Sequence, residues 1–248
     1  VDDGGGIMVD GGSTLTLTGG NIAGNKADIG SGIYIGEGCT VDMSRGTAEV
    51  CYNYSAGTSS DGGAIFLRPG ATVIGGYVHD NKADDYGGGV RAKGDDILVK
   101  DVIIASNKAE EDGGGMYVEG GAVNITGCKI VGNHSGEPGG GVHLCGSGKA
   151  NISDTLIVDN TSIDEGAGIF LDKTLYISGK MVVRDNDQTL NKESIKSNLY
   201  VEDASDLFVE KMSLGSEIWV RTYGAATDGK LLSKNATNSS HLFFFSDE

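Results

Sequence analysis

The chain has 248 residues, 38 % of them hydrophobic, with 42 glycines, two prolines and a formal net charge of −16. That length can enclose one sizeable core, and the glycines do not recur every third residue as collagen requires. So acidic a chain argues against nucleic acid and anionic membranes as partners, because both need clustered Lys and Arg. Phe, Tyr and Trp make up only 6 % of the residues, so an interior of stacked Ile, Val and Leu is expected. No apolar run reaches the roughly 18 residues that insertion into a membrane would require.

The chain opens in mid-motif, at Val1-Asp2-Asp3-Gly4-Gly5-Gly6-Ile7. It reads as a piece of something longer, without a leader of its own and with flanking domains as neighbours. That opening is the first copy of a glycine cluster followed by apolar, variable, apolar. Further copies are Gly30-Ser31-Gly32-Ile33-Tyr34-Ile35, Gly62-Gly63-Ala64-Ile65-Phe66-Leu67, Gly87-Gly88-Gly89-Val90-Arg91-Ala92 and Gly113-Gly114-Gly115-Met116-Tyr117-Val118. Gly139-Gly140-Gly141-Val142-His143-Leu144 and Gly166-Ala167-Gly168-Ile169-Phe170-Leu171 complete the clear set. Fainter echoes sit at Asn198-Leu199-Tyr200-Val201 and Glu217-Ile218-Trp219-Val220. A short alternating segment follows each cluster, as in Leu15-Thr16-Leu17 or Val123-Asn124-Ile125. Then comes Ile or Val three residues before an asparagine: Ile22/Asn25, Val50/Asn53, Val78/Asn81, Ile104/Asn107, Ile130/Asn133, Ile157/Asn160 and Val183/Asn186. Successive asparagines are 28, 28, 26, 26, 27 and 26 residues apart.

Two independent markers that keep one period define a repeat protein. Each repeat holds three short period-2 segments, none able to bury its apolar face alone. The glycines would cost a helix about 1 kcal/mol each. A propeller blade needs about 40 residues, and the leucine-asparagine signature of a horseshoe is missing. What remains is an all-β, right-handed parallel β-helix solenoid with three strands per coil, stacked at roughly 4.8 Å into a rod roughly 40 Å long. We expect residues 1–221 to form the coils and 222–248 a C-terminal cap, since open solenoid ends expose strand edges. Phe243, Phe244 and Phe245 are candidates to plug the last coil. Segments 53–61 and 187–196 break the rhythm and should project outward.

In a solenoid, equivalent positions stack into columns, and three of them matter. The asparagines should form a turn ladder, because Asn tolerates left-handed backbone and its amides bond along the axis. The outward residue of the first strand gives Met8, Tyr34, Phe66, Arg91, Tyr117, His143, Phe170, Tyr200 and Trp219, six of nine aromatic. If exposed, that column is a flat platform on which sugar rings or a protein partner would stack. If covered, it only stabilises neighbouring strands. The third column precedes the glycines: Asp2, Asp28, Ser60, Asp85, Glu111, Glu137 and Asp164. A solvated turn edge accounts for it without an ion. The only cofactor it suggests is Ca²⁺, held by Asp85, Glu111, Glu137 and Asp164.

Cys128 should point inward and Cys145 outward, which keeps them apart. Cys39 and Cys51 share one coil and could pair, although free thiols are the simpler expectation. Polysaccharide lyases and hydrolases on β-helices need carboxylates at a set separation, or calcium-binding Asp beside a catalytic Arg or Lys. The four histidines, His79, His134, His143 and His241, are scattered over different coils. No catalytic residue is therefore assigned.

The recurring Gly-Gly-Gly/Ala-Ile-x-Val with a later Ile-x-x-Asn resembles the polymorphic outer-membrane protein repeats of autotransporter adhesins. Gly62-Gly63-Ala64-Ile65 matches their first motif, while Ile or Val stands where their second has Phe. The repeats look more like those of large β-helix surface proteins of gut anaerobic bacteria. Leu214 to Val220, then Leu242 to Asp247, is similar to the closing segment of those proteins. The resemblance implies an extracellular, cell-surface module, adhesin-like and non-catalytic, contacting glycan or host protein. A structural spacer and a polysaccharide lyase or hydrolase are the alternatives.

Overall fold

The computed structural model describes residues 3–57, 61–190, 193–202, 205–222 and 244–246. Each turn of the chain lays one strand on each of three faces. Face one runs from Ile7–Val9 to Leu199–Val201, face two from Thr14–Thr16 to Leu207–Met212, and face three from Gly19–Ala23 to Glu217–Thr222. Among the described residues each face holds eight strands, and Phe244–Ser246 adds one more beside Glu217–Thr222. Neighbours pair in parallel one repeat apart, for example Val90↔Met116, Val99↔Ile125 and Ile104↔Ile130. A two-residue strip such as Lys82–Ala83 and Lys108–Ala109 links face three back to face one. No helix occurs among the described residues. The expected parallel solenoid with three strands per coil is thus the fold, and eight levels span roughly 34 Å at ordinary strand spacing.

The interior is one aliphatic column per face. Ile65, Val90, Met116 and Val142 stack from face one, Val73, Val99, Ile125 and Ile152 from face two, and Val78, Ile104, Ile130 and Ile157 from face three. All belong to a single cluster. Burying each such side chain contributes about 1.5–3 kcal/mol, and no strand reaches that burial without the coils above and below it.

The asparagines do form a ladder, and its geometry explains both repeat markers. Asn133 donates its amide to Asn160 Oδ1 at 2.9 Å and to the Ile104 carbonyl at 3.0 Å. Its own Oδ1 accepts the backbone N–H and the amide of Asn107 at 2.9 and 3.0 Å. The left-handed backbone, however, belongs to the residue before each asparagine. Gly24, Tyr52, Asp80, Ser106, Gly132, Asp159 and Asp185 all have φ between 53° and 69°. The asparagine's task is to fill the hydrogen bonds of the corner that this reversal opens. The glycine cluster has two reasons. Gly113 sits at φ 67°, and a Cβ on Gly115 would meet Gly141 O at 2.6 Å and Asn133 Nδ2 at 2.9 Å.

The rhythm changes after residue 186. Asp187–Leu190 and Glu193–Lys196 form an antiparallel hairpin, whose Asp187 and Gln188 still pair with Thr161 and Ser162 of the preceding coil. Asn198 then re-enters the ladder, accepting from Asn186 at 3.0 Å, so its echo of the first-strand motif hides a second job. The final strand, Glu217–Thr222, runs unbroken through a corner. Ile218 pairs with Val183 on face three, and Val220 with Leu199 on face one. Of the expected cap 222–248, Thr222 ends that strand, and Phe244–Ser246 pair with it in parallel. Phe243 and most of the rest lie outside the described residues.

Candidate functional site

The outward column of face one is continuous but not a platform. Tyr34 stacks on Phe66 at 5.7 Å, and Tyr117, His143, Phe170 and Tyr200 follow with ring centroids 4.8, 4.9 and 5.4 Å apart. Yet Phe66 is 1 %, Arg91 2 % and Phe170 9 % exposed, His143 and Tyr200 are buried, and Tyr34 and Tyr117 are half-buried. Of the two fates that alternation left open, these side chains take the covered one. Alternation sets which side chains leave the core, and the turn ahead of each strand then folds back over them. A Cβ on Gly139 or Gly166 would lie 2.7 Å from the Cβ of His143 or Phe170. Tyr86, which no repeat marker singles out, completes this roof 4.6 Å from the Tyr117 ring.

Trp219 is not in the column. The register places Arg221 opposite Tyr200, because the last strand turns its corner without an asparagine break. Trp219 is half-buried, and its indole donates to Glu217 Oε1 at 3.0 Å.

Beneath the roof the column is electrostatically organised. The Arg91 guanidinium lies 4.2 Å over the Tyr117 ring, pairs with Asp61 at 3.4 Å and bonds Glu119. Among the described residues its buried Nε and Nη1 have no hydrogen-bond partner. Cys145, half-buried as an outward residue should be, approaches the Tyr117 hydroxyl at 3.0 Å. Asp112 Oδ1 lies 3.4 Å from His143 Nδ1, a charge pair without hydrogen-bond alignment. Burial pulls the His143 imidazole down, but Asp112 and Cys145 outweigh it and raise it to about 9. Burial and Glu111 together push the Tyr86 phenol up to about 12.

The acidic turn edge stacks as a ribbon of backbone, with Glu111 N–H on Asp85 O at 3.2 Å and Glu137 N–H on Glu111 O at 3.4 Å. Asp164 caps its own turn at the Glu165 N–H, 3.0 Å away. Asp2 and Ser60 lie outside the described residues. The structure does not gather Asp85, Glu111, Glu137 and Asp164 into an ion-sized group. Among the described residues, Glu49, Cys51 and His79 alone place three such ligand atoms within 4.8 Å of one another. Cys39 and Cys51 are both buried free thiols, and Cys128 points inward as expected.

Glu49, Cys51 and His79 lie on the outer side of face three, where Cys51 and His79 are buried and Glu49 is half-buried. Tyr77 and Ile103 are exposed there and face each other in register. With Glu49, Ala48, Gly76 and Asp101 they line an open groove of about 490 Å³. Tyr52, 65 % exposed, meets the His79 ring edge-on. Sequence reading missed this group because neither repeat marker includes its members, although Cys51 and His79 occupy the same point of successive repeats. The usable signal was the 28-residue offset that puts Cys51 beside His79.

A family model described as right handed beta helix region matches residues 2–157. Neither the curated proteins nor the solved structures compared gave a match.

Proposed function

The chain belongs to the right-handed β-helix family, and from that premise we propose that it is a stiff, non-catalytic spacer module of a large extracellular cell-surface protein. One observation carries this reading. The column with the richest chemistry, from Phe66 to Tyr200, is largely buried under its own turns, so its stacking braces the rod instead of recruiting a ligand. The acidic surface keeps a long flat solenoid soluble. A spacer must work by length. Deleting residues 88–166, three periods whose removal joins Gly87 to Ala167, should leave a folded rod shorter by roughly 14 Å. Small-angle scattering reads that change. A shortened rod that folds but no longer binds a glycan or host protein held by the full chain rejects the spacer.

A second reading, adhesin-like contact with glycan or host protein, is favoured by the unroofed groups on face three. Tyr77 and Ile103 offer an apolar seat, and Glu49 offers a carboxylate to sugar hydroxyls. A glycan array with the chain and with Tyr77→Ala separates the two. Binding lost in the variant supports contact, and no binding by either supports the spacer.

A further inference from the structure

We propose that Glu49, Cys51 and His79 form a transition-metal site that staples the second coil to the third, with Zn²⁺ as the fitting ion. Glu49 and Cys51 leave the same strand on the same side, two residues apart, and His79 stands on the next strand directly opposite Cys51. The ligand set therefore crosses the coil boundary. His79 Nε2 is 3.5 Å from Glu49 Oε2. Two donors on one tetrahedral Zn²⁺, with bonds of about 2.0–2.3 Å, sit about 3.3–3.6 Å apart.

The surroundings prepare each donor. Asp80 Oδ2 takes the Nδ1–H of His79 at 2.7 Å. That leaves the Nε2 lone pair directed at Glu49 and gives the imidazole the carboxylate support that metal-bound histidines use. Tyr77 stacks on the ring at 4.0 Å, and Tyr52 meets it edge-on at 6.0 Å. Tyr52 holds that place at φ 55°, a left-handed backbone that two other corners give to glycine. Strain of this kind persists where surrounding structure uses it.

The thiol is the second, independent pointer. Cys39 donates to Glu37 O, Cys128 to Val99 O and Thr126 O, and Cys145 reaches the Tyr117 hydroxyl and Val118 O. Cys51 is 2 % exposed, and among the described residues no hydrogen bond involves its Sγ. Metal entry would release the thiol proton to solvent, and one thiolate with one carboxylate balances a divalent charge. Thiolate plus imidazole selects the Zn²⁺ class over Ca²⁺. Three protein donors leave a fourth position for water or for a donor from a bound molecule.

The test is titration of the reduced chain with Zn²⁺ by calorimetry and with Co²⁺ by absorbance. The expected results are one ion per chain, tetrahedral d–d bands and a near-ultraviolet thiolate-to-Co²⁺ charge-transfer band. Zn²⁺ should also raise the melting temperature, and a chelator should reverse the rise. Cys51→Ser should abolish the charge-transfer band, and His79→Gln and Glu49→Gln should each weaken Zn²⁺ at least tenfold, while Cys145→Ser changes nothing. His79→Gln keeps the buried thiol and so remains informative if Cys51→Ser folds poorly. A chain without a charge-transfer band, a band that survives Cys51→Ser, or one that vanishes in Cys145→Ser overturns the site.

Discussion

Face one and face three are built on the same period, the same parallel pairing and the same alternation, yet their outer surfaces have opposite fates. On face one the side chains that leave the core are covered, and Phe66 ends at 1 % exposure. On face three, Tyr77 and Ile103 remain open to solvent. The difference lies in the approach to each strand. Face one is entered through a glycine turn that folds back over its own strand, as Gly139 does over His143. Face three is entered from face two through corners such as Gly75-Gly76, also at positive φ, whose added Cβ atoms would meet Ser44 and Met43 of the preceding coil instead of the strand they lead into. In a solenoid, strand alternation decides what is inside the coil, and turn geometry decides what is buried outside it.

The largest effect should come from the corner that both faces share. Asn133→Ala removes the acceptor of two Asn107 donors and the donor to the Ile104 carbonyl, all in a buried corner. Stranding such groups costs about 1–3 kcal/mol each before any relaxation, so a loss of roughly 4 kcal/mol is expected. Urea denaturation with an unchanged m-value checks it. A loss under about 1 kcal/mol would show that water replaces the ladder and that the repeat's asparagine is not structural.

The comparison of the faces themselves rests on Phe170 and Tyr77. Phe170, stacked between His143 and Tyr200, should lose about 3 kcal/mol on truncation to Ala, near the usual cost of a buried aromatic. Tyr77→Ala on the open face should lose about 1 kcal/mol or less. Equal losses would mean that the turn roof does not distinguish the two surfaces.

How far the sequence carries is visible in these same residues. The coil, its period, the inward aliphatic columns and the asparagine ladder all follow from spacing, because every coil repeats the same local chemistry. Roofing does not follow, since Gly113 folding over Tyr117 depends on where a left-handed turn sends the chain. Trp219 was misplaced because its strand, Glu217–Thr222, crosses a corner that the other coils mark with asparagine. Glu49, Cys51 and His79 escaped notice because neither repeat marker includes them, and only the register joins them.

The pH dependence of stability sharpens the roofed side further. His143 is raised to about 9 from an ordinary 6.5, so the folded state binds its proton more tightly than the unfolded state. The resulting stability is fully present below pH 6.5 and is lost as pH rises through about 9. At about 1.4 kcal/mol per unit the upper limit is about 3 kcal/mol. Denaturation midpoints of the wild type should fall across that window, and His143→Phe should flatten the fall. A slope that persists in the variant assigns the proton to another group.

The smallest effect isolates backbone conformation at the corner leading out of face three. Gly132 has φ 64°, and a Cβ there would have only Ser106 Oγ near it, at 4.0 Å. Gly132→Ala therefore tests left-handed strain with no steric contact, and should cost about 1 kcal/mol. Tyr52 occupies the equivalent corner at φ 55°. Tyr52→Gly relieves similar strain but frees the unfolded chain and removes the edge contact to His79, so its net gain should be smaller than the Gly132→Ala loss. If Tyr52→Gly instead destabilises by more than about 1 kcal/mol, the aromatic contact on His79 is worth more than the strain. The open face would then be partly closed by its own corner residue.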